Sequence, residues 1–289
     1  MKVLIVGKDS YIGNHIDEWL TGMAMQTAQL DVRKNGWQDF DYSSYDVLVY
    51  VAAIVHRKDA DEELYQKVNV QLPLEIAALA KKQGVKQFVF LSSMAVYGGA
   101  KTLSAHVIDR HSPLTPDTPY GKSKLMAEEG LSKLGDEAFR LVILRLPNVY
   151  GKGCKGNYIS GFTFLVRMLP VIPRAYTHVR QSLIYIDNLC ELVRLLIVKG
   201  QSGIYCPQDE VAVSAGELMR TVADGLGLRR SYSSLSGGMV KLFRFLPVVK
   251  KIFGGLEYDR SLSEFPDMDY VVVPFSEAMR KTVSQKETR

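Results

Sequence analysis

The chain has 289 residues, of which 47% are hydrophobic and 23% charged, enough for one large core, or a large and a small one, in a soluble globular protein. No run approaches about 18 uninterrupted apolar residues, and "MKVLIVG" reaches a glycine at once, so neither a membrane-spanning helix nor a signal peptide is expected. The formal charge of +5 is concentrated in residues 225–256, which hold six basic residues and no acid; the remainder is near neutral, and without zinc-finger spacing or a basic stripe interleaved with aromatics, nucleic acid is not an expected partner.

In chain order, "KVLIVG" (2–7) reads as a buried strand, and "IGNHIDEWLTG" (12–22) as a helix ended by Gly22. Strands follow at 25–30 and at 45–53, the second strongly apolar. Residues 61–84 read as a helix ending at Gly84, interrupted in pattern by Pro73. A strand (86–93), a helix (120–134) and a strand (139–147) complete the first half. Strands alternating with helices imply parallel βαβ units, and strands apolar on both faces fit a sheet covered on both sides. The expected fold is therefore α/β, a doubly wound parallel sheet with a smaller C-terminal domain. Residues 1–150 are expected to form the sheet domain, to which 180–200 return; 151–179 and 201–289 form the smaller one. In the latter, Ser214 and Glu217 make a capping box for a helix over 214–227. Cys154, Cys190 and Cys206 are isolated, show no metal-ligand spacing and fit a reduced cytoplasm. No metal is expected.

Three local patterns carry chemistry. "GKDSYIG" (7–13) sits between the first strand and the first helix. Gly7 permits a tight turn, Gly13 permits close packing, and the helix N–H groups then face a pyrophosphate. Asp31 closes the second strand, where a carboxylate can accept from an adenosine ribose and favour NAD; Arg33 and Lys34 can instead hold a 2′-phosphate and favour NADP. Asp41 is placed to meet an adenine edge. "FVFLSSMAVYG" (88–98) ends a strand with two serines at the carboxyl edge, where open α/β sheets bind ligands. "YGKSK" puts Tyr120 and Lys124 four residues apart on one helix face, a spacing that serves a plain amphipathic helix or a phenol whose pKa is lowered by an ammonium.

Together "GKDSYIG", "VAAIVH", "LSSMAVYG", "YGKSK", "LRLPNVYG" and "RQSLIYIDNL" stand in the order seen in the extended short-chain dehydrogenase/reductases. The chain resembles the nucleotide-sugar epimerase/dehydratase branch, UDP-glucose 4-epimerase-like members above all. The resemblance covers residues 2 to about 190 and implies a Rossmann-type NAD(P)-binding domain over 1–150 with a smaller C-terminal substrate-binding domain, and Tyr120 as acid/base. Lys124 is implied as the group that binds the nicotinamide ribose and tunes Tyr120, and Ser93 as the partner of the sugar C4 oxygen. It further implies Gly7, Ser10, Tyr11, Ile12 and Gly13 along the pyrophosphate, Ala52 and Ala53 along the cofactor, and Asn69 as a brace at the strand edge. Asn148, Asn157 and Arg180 are implied near the diphosphate of a nucleotide-diphosphate sugar. The pattern departs at Ser10, where a glycine is usual, at Tyr50, where a histidine is usual, and at Gln181, where an arginine is usual.

The family's 4,6-dehydratases carry Asp-Glu after the catalytic Ser or Thr. Here Met94 and Ala95 follow Ser93, and neither can move a proton, so dehydration is disfavoured. What remains is an NAD-dependent 4-epimerase working through a transient 4-keto sugar, as in supply of surface-polysaccharide precursors, or a NAD(P)H-dependent reductase of a 4-keto-6-deoxy sugar. A dinucleotide-binding module without catalysis is disfavoured by the complete triad. A homodimer in the cytoplasm is the expected assembly. Residues 236–256 read as two amphipathic helices split by Pro247, either capping the smaller domain or touching the inner face of a membrane.

Overall fold

The computed structural model describes residues 1–55, 61–99, 102–154 and 158–284. The early strands are β1 (Lys2–Val6), β2 (Gln26–Leu30), β3 (Val47–Tyr50), β4 (Gln87–Ser93), β5 (Val107–Ile108), β6 (Arg140–Leu146) and β7 (Asn148–Tyr150). Short strands follow as β8 (Val171–Pro173), β9 (Arg180–Gln181), β10 (Leu183–Tyr185), β11 (Gly203–Tyr205), β12 (Val213–Ser214), β13 (Ser231–Ser233) and β14 (Glu257–Tyr258). The helices are α1 (Tyr11–Gly22), α2 (Glu62–Tyr65), α3 (Leu72–Lys82), α4 (Pro119–Ser132) and α5 (Tyr158–Met168). The later ones are α6 (Ile186–Val198), α7 (Ala215–Gly225), α8 (Ser234–Leu242), α9 (Pro247–Phe253) and α10 (Phe275–Val283).

Six strands form one all-parallel sheet in the order β11-β6-β4-β3-β1-β2. The order reverses between β1 and β3, and that switch point opens a crevice at the carboxyl ends of the strands. Successive side chains of each strand enter opposite layers. Val3 and Ile5 join Ile16 and Leu20 of α1 and Leu192 and Leu196 of α6 on one face. Leu4 and Val6 join Ile76 and Ala80 of α3 and Ala127 and Leu131 of α4 on the other. This is the expected doubly wound arrangement.

Two boundaries differ from the sequence reading. The return to the sheet does not stop at residue 200: β11 pairs in parallel with β6 and forms its edge. Most C-terminal elements also share the main core: Phe162 and Val166 of α5, Leu218 and Val222 of α7 and Met279 of α10 continue the α1–α6 core, while Cys206 and Tyr258 cluster with Met94, Val96, Tyr97 and Ile108. The helix expected over 61–84 is instead three pieces, with a π-helical stretch over Gln66–Gln71. Pro73 has no N–H to donate to the carbonyl four residues back, and its ring crowds that carbonyl. The backbone answers with a wider turn, in which the Leu72 N–H donates to the Lys67 carbonyl. The capping box of α7 is as expected.

A buried carboxylate ties the end of the sheet to the C-terminal segment. Asp209 accepts from the Tyr150 hydroxyl (2.7 Å), the Tyr185 N–H (3.0 Å) and the Asn188 amide (2.9 Å), and Asn188 also holds the backbone of Val273. Burial pushes the Asp209 pKa up to about 6. With the folded pKa above the unfolded one, folding takes up a proton, and stability contributed by the neutral form is lost as pH rises from about 4 to about 6. Asp209→Asn has no such proton to lose. The thermal midpoint of Asp209→Asn, measured relative to the natural chain, is expected to rise across that window, and a pH-independent difference would contradict the assignment.

Candidate active site

The first turn of the site follows from β1 and α1. Gly7 has φ +126°, and a Cβ there would stand 2.8 Å from Val51 Cγ2 and 2.9 Å from the Ala52 N, so only glycine fits where β1 and the end of β3 meet. Ser10 caps α1, its hydroxyl accepting from the Gly13 N–H at 3.1 Å. A Cβ on Gly13 would lie 2.5 Å from that hydroxyl oxygen. The serine at the usual glycine position thus satisfies one N–H of the helix end, and Tyr11 and Ile12 go on to line the cleft. A glycine-floored turn opening a helix at the switch point fits a dinucleotide pyrophosphate.

The cleft has a volume of about 600 Å³. It gathers Ser10, Tyr11, Ile12, Ala53, Ser93, Tyr120, Lys124 and Asn148 from five separate stretches of chain. Ser93 ends β4 and caps the turn of 3-10 helix at Met94–Tyr97, its hydroxyl accepting from the Ala95 N–H at 3.2 Å. Tyr120 lies in the first turn of α4, which Thr118 caps, and hydrogen-bonds to Ser93. Lys124, one turn further, is almost wholly buried and donates to the Leu91 carbonyl at 2.7 Å. Its ammonium sits 4.6 Å from the centre of the Phe90 ring and 5.9 Å from that of Tyr120. Desolvation dominates both groups. It pushes the Tyr120 phenol up to about 12, against the pull of Ser93, and pulls the Lys124 ammonium down to about 7, against the nearby Glu128 carboxylate.

Close contacts fix this geometry. Gly121 lets α4 lie against the 3-10 turn: a Cβ there would come within 2.5 Å of the Ala95 carbonyl oxygen. Asn69, in the π-helical stretch, is buried; its amide donates to the Ile54 carbonyl and the Ser123 hydroxyl, and its oxygen accepts from the Ile54 N–H. It therefore braces the extension of β3 against α4. Beneath the cleft Glu128 and Arg145 form a buried ion pair at 2.7 Å, joined by the hydroxyls of Ser92 and Tyr97. Sequence reading missed this network. Its one signal is that Glu128 lies four residues beyond Lys124, on the buried face of α4. Also unforeseen, Asp117, Cys154 and Leu256 line the cleft.

Other expected site residues lie elsewhere. Asp31 is gripped by Arg33 at 2.8 and 2.9 Å, which holds its carboxyl down at about 2; Arg33 also reaches Asp9 at 3.0 Å. Asp41 caps the short turn Tyr42–Ser44, bonded to the Ser43 and Ser44 hydroxyls. Arg180 does not reach the cleft: it bonds the Ala212 carbonyl at 3.2 Å and approaches Glu217 at 3.6 Å, because β9 pairs with β12 beside α7. Asn157 lies outside the described residues. Among the described residues no cluster of three His, Cys, Asp or Glu is arranged to hold a metal, and no helix is long and apolar enough to cross a membrane.

The sequence model of the NAD dependent epimerase/dehydratase family matches residues 3–205. The chain belongs to that family and is an NAD(P)-dependent enzyme of the extended short-chain dehydrogenase/reductase type. It is 28% identical over 287 residues to a UDP-glucose 4-epimerase of Vibrio cholerae, covering 90% of this chain and 87% of that protein. It is also 28% identical to the N-acetyl-alpha-D-glucosaminyl-diphospho-ditrans,octacis-undecaprenol 4-epimerase of Escherichia coli O157:H7, covering 78% of this chain and 72% of that one. MoeE5, solved in complex with UDP-glucose and NAD, shares the fold with a TM-score of 0.71, at 20% identity over 98% of this chain and 97% of that chain.

The buried Lys124 gives a test with a definite sign. Its folded pKa, about 7, lies below the unfolded one, so folding releases a proton between the two and stability rises with pH across that window. Below about pH 7 the folded chain must carry the buried charge. Lys124→Met removes that cost. Its thermal midpoint is expected to exceed that of the natural chain by more at about pH 6 than at about pH 9. Equal differences at the two pH values would contradict the burial argument.

Proposed function

We propose that this member of the NAD dependent epimerase/dehydratase family is a 4-epimerase of a diphosphate-linked sugar, with Ser93, Tyr120 and Lys124 at the reacting hydroxyl. The observation that carries the reading is the meeting of these three side chains in one cleft whose next two residues, Met94 and Ala95, are apolar. Elimination of water needs an acid and a base beside the sugar, and that position has neither.

Tyr120 takes the hydroxyl proton as the C4 carbon is oxidised and returns it when the carbon is reduced. Ser93 holds the same oxygen. A phenol held near pKa 12 needs added positive charge to serve as a base at neutral pH. Lys124 supplies it once ribose hydroxyls give its ammonium further acceptors, which raises the lysine and lowers the phenol together. When bound, the oxidised nicotinamide supplies the hydride acceptor and adds a further positive charge. Val55, Met94, Ala95, Gly98, Gly99 and Leu256 give the cleft walls whose side chains offer no hydrogen bond, and Asp117 and Thr118 line it as well. In this reading a keto sugar is held by its diphosphate end and stays free to present its other face.

The same turn bears on the cofactor. Arg33 is already bonded by two carboxylates, Asp31 and Asp9, which makes its guanidinium less available to a 2′-phosphate and supports NAD, while Lys34 stays exposed beside it. Asn148, an exposed residue of the cleft lining, is the candidate partner of the diphosphate in this reading.

Tyr120→Phe is expected to lower turnover by on the order of 10²–10⁴ with cofactor binding nearly unchanged, since the phenol serves the sugar. Full activity in that variant, measured by chromatography of the two epimeric sugars, would end the mechanism. The purified protein is also expected to carry NAD, released by acid and identified by mass. A protein that comes empty and takes up NADPH instead supports the 4-keto reductase reading.

A further inference from the structure

Helix α8 is mounted inside out. Its buried residue is Gly237, whose missing Cβ lets the backbone lie against the Arg174 carbonyl. Its leucine and methionine face water: Leu235 is 89% exposed, Met239 66% and Leu242 71%. These positions are spaced i, i+4 and i+7, so they form one apolar stripe along the helix. The loop to α9 adds Phe245 at 68% exposure, and α9 adds Val248 at 55%. Behind the stripe lies a groove of about 400 Å³ in which Ser236 is the sole polar side chain. A run of large exposed apolar residues along one element marks an interaction surface.

The charge around the stripe identifies the partner. Lys241, Arg244 and Lys250 are exposed among these residues, and residues 225–256 contain no acid. A second copy seated on the same face about a two-fold axis would bring two such basic rims together with no carboxylate from this stretch to pair them. An anionic bilayer offers the opposite charge and an apolar interior beneath it. The surface also adjoins the cleft. Arg244, Phe245 and Lys250 share a shallow pocket with Leu103 and Ser104, a few residues beyond the cleft-lining Gly98 and Gly99. Leu256, three residues beyond the end of α9, is itself a cleft residue.

We propose that α8, α9 and the loop between them dock on an anionic lipid surface, with the leucine, methionine and phenylalanine side chains entering the headgroup layer and the basic residues meeting phosphate. Docking brings the cleft mouth toward the bilayer, where a sugar diphosphate carried on a lipid is presented. The proposal stands on the patch alone and holds whichever sugar the cleft takes.

The full chain is mixed with phosphatidylglycerol-containing vesicles and with neutral phosphatidylcholine vesicles, at low and at high salt, and floated on a density gradient. It is expected to float with the anionic vesicles at low salt and to be released by high salt. Each basic residue near the surface is worth about fivefold in partition, so the triple variant Lys241→Glu, Arg244→Glu, Lys250→Glu is expected to lose at least about 100-fold. Leu235→Asp with Leu242→Asp abolishes flotation, and because both side chains are exposed the variant keeps its thermal midpoint and its turnover of a soluble nucleotide sugar. A chain that never floats, or that floats equally with neutral vesicles regardless of salt, overturns the proposal. So does sedimentation velocity showing a dimer that Leu242→Asp dissociates, since a second copy then covers the stripe.

Discussion

Helix α4 approaches the end of β4 so closely that a side chain at Gly121 would collide with the Ala95 carbonyl, and the candidate site depends on that approach. It brings Tyr120 to Ser93 and sinks the ammonium of Lys124 among Leu91, Phe90 and Tyr120. A buried cation with one carbonyl partner is costly, and something must hold the helix in place. Two devices do so. The Glu128–Arg145 pair bolts α4 to β6, the strand between β4 and the β11 edge of the sheet. Asn69 bolts it to the extension of β3. The desolvation that costs stability at Lys124 is the same desolvation that draws its pKa to about 7 and holds the Tyr120 phenol near 12. Both groups are thereby left responsive to the charge of whatever binds beside them.

The parts of this arrangement that are local in sequence were legible there. Tyr120 and Lys124 stand out through the ordered motifs around them, since their spacing alone also suits a plain amphipathic helix; Gly7 stands out by its place between a strand and a helix, and the sheet by long apolar strands alternating with helices. What was hidden depends on contacts far apart in the chain. β11 is three residues long, too short for a periodic pattern, and exists because β6 offers it an edge. The π-helical stretch before Pro73 looks in sequence like a damaged helix, yet it carries the buried Asn69 that braces the site. Arg180 was expected at the cleft from its neighbours in sequence, but β9 pairs with β12 and leads its side chain to Glu217. Asp41 has the right residue type and spends it on capping a turn.

The boundary between a dinucleotide half and a substrate half blurs for a related reason. The core under α1 and α6 runs on through α5, α7 and α10, and the cleft draws its walls from that core and from a smaller cluster that joins Met94 and Tyr97 to Tyr258 and Leu256. Asp209 and Asn188 stitch the end of the sheet to the C-terminal segment in the same way. Set against this, α8 and the loop to α9 differ: Leu235, Met239, Leu242 and Phe245 are turned outward beside Val248, while Val249 and Phe253 anchor α9 in the core, and residues 225–256 hold no acid. A rigid cleft with a greasy, positively charged margin suits an enzyme that handles a sugar diphosphate close to lipid.

In the proposed reaction the oxygen-bound proton passes through Tyr120 while the C4 hydrogen leaves and returns without meeting solvent. It is tested most directly by following a C4-deuterated nucleotide sugar through turnover in ordinary water, with mass analysis of both epimers. The account predicts that the two epimers interconvert and that both keep the deuterium at C4. Loss of deuterium to solvent in step with epimerisation would contradict it, because the C4 hydrogen would then be leaving as an exchangeable proton and the Ser93–Tyr120–Lys124 cluster would be doing different chemistry.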